Sequence, residues 1–157
     1  MKIRVISVGK TQEKYLLTGM QEYQKRLSRF TRMEWVEIPA LRKGKSLSEK
    51  ETKDQEGKLI LSEIGPSDFV VLLDEKGKEY SSEKWARQMD KWMQGTHKSL
   101  VFVIGGAYGF SEDVYQRSQD KLALSQMTFS HQMIRLFFIE QIYRGFTILK
   151  GMPYHHS

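Results

Sequence analysis

Short apolar runs alternate with longer amphipathic segments along the whole chain, and this alternation constrains the fold most strongly. Strands are predicted at residues 3–8, 35–38, 69–73, 100–104 and 122–124. Helices are predicted at about 11–28, 48–64, from Ser81 or Ser82 onward, 111–118 and 131–149. Strands separated by helices pair mostly in parallel, because each crossover returns the chain to the same end of the sheet. The sequence therefore predicts an α/β fold with a mostly parallel sheet of five or six strands and helices on both faces.

Two of these strands are expected to be fully buried, and a ligand would bind beyond their carboxyl ends. Residues 69–73 (FVVLL) and 100–104 (LVFVI) do not alternate with polar residues, so each is expected to be buried on both faces. The stretch 74–78 (DEKGK) is expected to turn the chain away from the sheet. Ligands of parallel sheets bind beyond the carboxyl ends of the strands.

The length and composition limit the class of protein. A chain of 157 residues fits one domain, 1–157, and no apolar run is long enough to cross a bilayer. The opening MKIRVISVG carries Arg4 and lacks a longer apolar core, so secretion is not expected. The absence of cysteine excludes disulfides and thiolate metal sites and is compatible with a cytoplasmic protein.

The formal charge of +6 makes a polyanionic partner plausible, and nucleic acid is the leading candidate. Part of the positive charge lies in two runs. They are Lys25, Arg26, Arg29 and Arg32, and, in a glycine-containing loop, Arg42, Lys43 and Lys45. Each run taken alone is as compatible with a solvated surface as with a phosphate-binding track.

The segment 102–113 (FVIGGAYGFSED) predicts a strand, a glycine loop and a capped helix start. The dinucleotide fingerprint is absent, because the spacing is G-G-x-x-G and no acidic residue stands about twenty positions later. The P-loop lysine is absent as well. Glycines at this point still allow a flat group to approach the main chain closely, although a purely structural turn is equally compatible with the pattern.

The histidines and the carboxyl terminus leave alternatives open. His97, His131, His155 and His156 have no i, i+4 pair and no cysteine partner, so no metal site is expected. The tail 150–157 fits either a frayed terminus or a segment whose Tyr and His side chains handle a nucleobase. Arg144 fits either a surface ion pair with Glu140 or a functional cation.

Several segments in order resemble the ribosomal RNA large subunit methyltransferase H family of the SPOUT class. They are VLLDEKGK at 71–78, FVIGGAYGF at 102–110, LALSQMTFSHQMIRLFFIEQIYR at 122–144 and PYHH at 153–156, and the resemblance covers nearly the whole chain. It implies a SPOUT α/β fold with a C-terminal trefoil knot. It also implies a homodimer that uses S-adenosylmethionine to methylate N3 of a pseudouridine in 23S rRNA on the assembled ribosome.

The same resemblance implies two groups of site residues. The cofactor-binding positions are Leu73, Gly106, Ser125, Gln126, Met127, Thr128, Phe129 and Ser130, and the positions at the substrate end are Arg144, Tyr154 and His155. Many relatives have proline where Ser130 stands, directly before His131.

Methyl transfer to N3 requires the nitrogen to lose its proton, and a nearby cation or a neutral imidazole would help. No metal is expected. The alternative function is a non-catalytic RNA- or ribosome-binding module, for which the positive charge alone would suffice. A small nucleotide-dependent oxidoreductase is a third, weaker hypothesis, because the acidic residue of the dinucleotide-binding fingerprint is missing.

Overall fold

The computed structural model describes residues 1–41 and 46–156. The elements in chain order are β1 (Lys2–Val8), α1 (Lys14–Leu27), β2 (Met33–Ile38), α2 (Glu49–Ser62), β3 (Asp68–Lys78), α3 (Ser82–Met93), β4 (Ser99–Ile104), α4 (Glu112–Arg117), β5 (Asp120–Leu122) and α5 (Met133–Leu149). The basic loop residues Arg42, Lys43 and Lys45 lie outside the described residues. No helix in the described ranges is long and apolar enough to cross a membrane.

The five described strands form one parallel sheet in the order β2-β1-β4-β3-β5, which confirms the predicted α/β class. One face is covered by α1, α3 and α5 around Phe102 and Phe138, and the other by α2 and α4 around Val103. The central strand β4 is buried along its whole length, as its continuous apolar sequence predicted.

The helix starts follow the predicted capping residues. The Ser48 hydroxyl accepts from the amide of Glu51 and the Glu51 carboxylate accepts from the amide of Ser48, which completes a capping box for α2. Ser81 caps α3 and Ser111 caps α4 in the same side-chain-to-amide manner. These caps fix where the helices leave the loops at the carboxyl ends of the strands.

The first helix begins later than predicted. Thr11 is buried, and its amide and hydroxyl both donate to the Glu37 carboxylate, at 2.5 and 2.6 Å. These bonds hold the chain in a loop until Lys14. The predicted helix start at about residue 11 was wrong. The contact with Glu37 joins residues far apart in the sequence, so no sequence pattern near Thr11 indicates it.

The prediction of a turn at 74–78 was wrong, because β3 continues through this stretch to Lys78. Lys78 pairs with Leu122 after a register shift from Leu73, which also pairs with Leu122. A Cβ built on Gly77 would lie 2.6 Å from two main-chain atoms of Leu122. Glycine is therefore required there by the close approach of two backbones, and its turn-like composition was misleading.

The apolar stripe of α5 is largely core, as predicted, with Phe138, Ile142 and Phe146 buried. Phe137 is an exception, since 44% of the residue is exposed. Its ring centroid lies 5.1 Å from that of Phe129. The spacing placed Phe137 in the core, but it lies at the edge of the buried face beside the loop that precedes α5.

Candidate active site

The predicted cofactor-binding residues lie where β4 and β5 end. Leu73 lies within β3 at the same level, because it pairs with Ile104, the last residue of β4, and with Leu122, the last residue of β5. Gly106 lies two residues after Ile104, and Ser125 three residues after Leu122. Parallel pairing therefore brings the start of all three predicted segments to the same edge of the sheet.

The glycine loop between β4 and α4 is closely packed. A side chain at Gly105 would meet the ring of Phe110 at 2.9 Å. Gly109 has a φ of 82°, a conformation that favours glycine, and its amide donates to the carbonyl of Gly106 at 3.2 Å. Gly105 is therefore explained by close packing and Gly109 by its positive φ.

The segment 125–130 is held by two serine hydroxyls. Ser125 Oγ accepts from the amide of Met127 at 3.0 Å, and Ser130 Oγ accepts from the amide of Met133 at 3.0 Å. Ser130 thereby binds a free amide at the start of α5, a contact that proline could not make. Met127 between them is 78% exposed.

A cavity of about 140 Å³ lies between this segment, α3 and α5. Apolar and aromatic groups dominate its lining, and Ser82 and Gln141 supply polar groups. Phe129 is the member of the predicted cofactor set that lines it. Such a lining fits a flat heteroaromatic group with a polar edge, and in this respect the residues fit the adenosyl part of the predicted cofactor.

The carboxyl-terminal tail is folded back against α5. Gly151 has a φ of 65°, its amide donates to the Ile148 carbonyl at 3.1 Å, and the Met152 amide donates to the Thr147 carbonyl at 2.9 Å. These two bonds form a Schellman motif, which reverses the chain after a helix. The tail is therefore folded against α5 and is not a frayed end.

This reversal brings together the three residues predicted at the substrate end. Arg144 Nη1 lies 2.9 Å from His155 Nδ1, and the Arg144 guanidinium carbon lies 5.0 Å from the Tyr154 ring centroid. Arginine can only donate, so Nδ1 accepts and the proton of the neutral ring resides on Nε2. That nitrogen lies 3.1 Å from Oε1 of Glu83.

Two carboxylates complete this group, which we call the tail cluster: Glu83, Glu140, Arg144, Tyr154 and His155. Glu140 Oε1 accepts from Arg144 at 2.6 Å and from the Tyr154 hydroxyl at 3.0 Å. The i, i+4 pair between Arg144 and Glu140 is therefore present, and it is one contact within a larger network. A backbone amide and His155 hold the pKa of Glu83 below its usual range.

The Tyr154 hydroxyl makes two hydrogen bonds. Besides its contact with Glu140, it lies 3.0 Å from the hydroxyl of Tyr23 on α1. Burial raises the pKa of Tyr154 above its ordinary value, and the hydrogen bond with Tyr23 and the Glu140 charge add to the effect. Tyr154 therefore stays neutral near pH 7 and is better suited to stacking and hydrogen bonding than to proton abstraction.

The cavity and the tail cluster are neighbours on the same two helices. Ser82 lines the cavity while the next residue, Glu83, contacts His155. Gln141 lines the cavity while the preceding residue, Glu140, contacts Arg144. A group in the cavity and a group at the tail cluster would thus lie side by side.

The basic run of residues 25–32, at the end of α1 and in the turn after it, lies next to this region. Tyr23 joins α1 to the tail, and Arg26 stands over the ring of Tyr143 at 5.6 Å while pairing with Glu22 at 3.1 Å. Lys25 and Arg29 are exposed. The run therefore combines one paired cation with exposed ones beside the tail cluster.

Arg135 is a buried cation near the site that the sequence analysis did not predict. Its guanidinium is buried and donates to the carbonyls of Val8, Gly9 and His131, to the Thr11 hydroxyl and to the Glu37 carboxylate. Burial lowers the pKa of Arg135 from its ordinary value, and Glu37 opposes this. The side chain ties the end of β1, the loop after it and Glu37 on β2 to the segment that ends at His131.

Glu56 is the second residue that was missed. Only 8% of it is exposed, and its carboxylate lies against Gly106 of the glycine loop. A possible signal was its position four residues before the buried Ile60, on the inward face of α2.

The remaining histidines lie elsewhere. The His97 ring packs edge-on against Phe69 at 5.0 Å, and His131 and His156 are exposed. Within residues 1–41 and 46–156 no group of three or more His, Cys, Asp or Glu side chains is arranged to hold a metal ion.

Comparison with known proteins shows the family of this chain. A family described as "Predicted SPOUT methyltransferase" matches residues 1–155. A protein named ribosomal RNA large subunit methyltransferase H from Flavobacterium psychrophilum is 54% identical over 157 residues, 100% of both chains. Proteins of the same name from Christiangramia forsetii (53%, 99% of both chains) and Bacteroides thetaiotaomicron (51%, 100% of both) are similar throughout. The chain belongs to the SPOUT methyltransferases and, among them, to the ribosomal RNA large subunit methyltransferase H family.

Proposed function

We propose that this protein transfers a methyl group from S-adenosylmethionine to N3 of a pseudouridine in 23S rRNA on the assembled ribosome. The observation that carries the proposal is the tail cluster, in which a cation, an imidazole and a phenol are held together beside a cavity. The names of the full-length relatives support large-subunit rRNA as the substrate. A ribosomal substrate implies a cytoplasmic location.

The donor would be held at the carboxyl edge of the sheet. S-adenosylmethionine supplies an electrophilic methyl group on a sulfonium. Gly106 and the segment 125–130 follow the ends of β4 and β5, and Leu73 lies beside those ends on β3. The role of these residues is to bind and orient the donor through apolar contact and main-chain groups. Phe129 and the adjoining cavity exclude water from the adenosyl part. In-line placement of the two reactants supplies much of the acceleration.

The acceptor base would meet the tail cluster. The Tyr154 ring provides a stacking surface, and Arg144 provides a positive charge for the anion that forms when N3 loses its proton. The Nδ1 of His155 already accepts from Arg144, so His155 first acts to aim the guanidinium. It can accept a proton only after Arg144 turns toward the base.

The basic run of residues 25–32 extends this substrate surface. Lys25 is exposed in the last turn of α1, the helix that contacts Tyr154 through Tyr23, and Arg29 is exposed in the turn that follows α1. Side chains of this kind bind phosphates without reading sequence. We expect the protein to act as a homodimer.

The test is methyl transfer from radiolabelled S-adenosylmethionine to ribosomes lacking the modification, with free 23S rRNA and separated subunits as comparison substrates. Incorporation into intact ribosomes above the other substrates supports the proposal. Binding to ribosomes without incorporation would favour a non-catalytic ribosome-binding module.

A further inference from the structure

Glu56 on α2 has a buried carboxylate, and among the described residues one of its oxygens lacks the hydrogen bond that a buried oxygen normally makes. It is 8% exposed, and its Oε1 has no hydrogen-bond partner in the part of the chain that the structure describes. An ionised carboxylate removed from water without a partner carries a substantial free-energy cost. Such a group calls for an explanation outside folding stability.

The carboxylate is aimed at the glycine loop. A Cβ built on Gly106 would lie 2.7 Å from Oε1 and 2.9 Å from Oε2 of Glu56. Any side chain at position 106 would therefore collide with the carboxylate, and glycine lets it approach the loop main chain. Gly57, the next residue, packs equally closely against Ser111, the N-cap of α4. These two contacts fix α2 against both ends of the loop.

We propose that Glu56 supplies the counter-charge for the sulfonium of the methyl donor and makes the site prefer the charged donor over the neutral product. This rests on the proposed function, in which Gly106 contacts the donor. Methyl transfer breaks the S–CH₃ bond, whose electron pair stays on sulfur, and forms an N–CH₃ bond with the electron pair of the deprotonated N3. Sulfur becomes a neutral thioether, so a nearby buried carboxylate attracts the donor and has no charge to attract in the product.

The protonation behaviour of the side chain is consistent with this role. Burial raises the pKa of Glu56 from its ordinary value. A cation bound beside the carboxylate favours its ionised form and opposes that rise. Donor binding should therefore release protons in the range where the carboxyl is partly protonated, and product binding should release fewer.

The experiment compares the affinities of S-adenosylmethionine and S-adenosylhomocysteine by calorimetry on the full chain. Glu56→Gln keeps the shape and removes the charge. Glu49→Gln is the control, because it removes the same charge from an exposed position on the same helix. We expect Glu56→Gln to weaken donor binding about tenfold and product binding less than about threefold, and Glu49→Gln to change neither by more than about twofold.

The outcomes separate this inference from the proposed function. If the wild-type protein binds both compounds and Glu56→Gln weakens both equally or neither, Glu56 does not sense the sulfonium and this inference fails alone. If the wild-type protein binds neither compound, the proposed function fails with it. A melting temperature of Glu56→Gln at or above that of the wild type excludes unfolding as the cause of weaker binding.

Discussion

Arg144 Nη1 lies 2.9 Å from Nδ1 of His155, so the last helix and the carboxyl-terminal tail share one polar network. The imidazole accepts from the guanidinium and its other nitrogen faces Glu83. In the proposed mechanism the two residues have different tasks: Arg144 meets the developing negative charge, and His155 holds Arg144 in place.

The two tasks predict different losses on mutation. Arg144→Ala should lower methyl transfer to ribosomes about 100-fold, because it removes the charge that stabilises the N3 anion. His155→Ala should lower it less, about tenfold, since the guanidinium stays but loses its orientation. Donor affinity should remain within about threefold in both variants. A larger loss for His155→Ala than for Arg144→Ala would reverse the assignment.

Arg135 should be needed for stability. Arg135→Met keeps the length of the side chain, removes the donor to three carbonyls, and leaves the Glu37 carboxylate with its bonds from Thr11 but without its buried counter-charge. We expect the free energy of unfolding in urea to fall by about 3 kcal/mol. Arg26→Met is the matched control, since its ion pair with Glu22 is on the surface and should matter far less. An equal loss of unfolding free energy in the two variants would contradict the role given to the buried guanidinium.

Gly77 should tolerate no side chain. A methyl group there would lie 2.6 Å from the main chain of Leu122, so Gly77→Ala forces β3 and β5 apart. The free energy of unfolding should drop by about 2 kcal/mol or more. Gly65→Ala provides the comparison, because its nearest neighbour, an oxygen of Asp68, would be at an ordinary 3.5 Å. A Gly77→Ala protein as stable as Gly65→Ala would show that the strands do not meet as described.

Glu56 should give the stability a pH dependence of its own. Its pKa is raised in the folded protein, so between the ordinary value of 4.5 and the raised value the folded state binds more protons than the unfolded state. Its contribution to stability therefore falls as pH rises through this window. Glu56→Gln should be more stable than the wild type at pH 7, with the difference vanishing below pH 4.5. Thermal unfolding at several pH values measures this, and a Gln variant that is less stable at pH 7 would contradict it.

Much of the fold could be predicted from local patterns. The continuous apolar runs of β3 and β4 indicated a parallel sheet, and Ser48, Ser81 and Ser111 marked helix starts. The continuation of β3 through Gly77 could not be predicted, because its cause is a contact with Leu122 far along the chain. Periodicity contains no information on threading either, so the trefoil knot stays a prediction.

The candidate site was only partly visible in the sequence. Resemblance supplied Arg144, Tyr154 and His155, and the structure brings them together through a Schellman motif that Gly151 permits. Arg135 and Glu56 escaped because a charged residue on a helix is usually solvated. The sequence did contain one sign that both residues are buried. Phe138 stands three residues after Arg135, and Ile60 stands four residues after Glu56, so each charged residue shares a helix face with a buried one.

The most direct test of the central claim is to identify the methylated nucleoside. Ribosomes from cells lacking the modification are incubated with the protein and S-adenosylmethionine, and the 23S rRNA is digested and examined by mass spectrometry. The account predicts one new nucleoside, pseudouridine methylated at N3, formed by the wild-type protein and strongly reduced with Arg144→Ala. A methyl group on any other atom or nucleoside, or none at all, would contradict it.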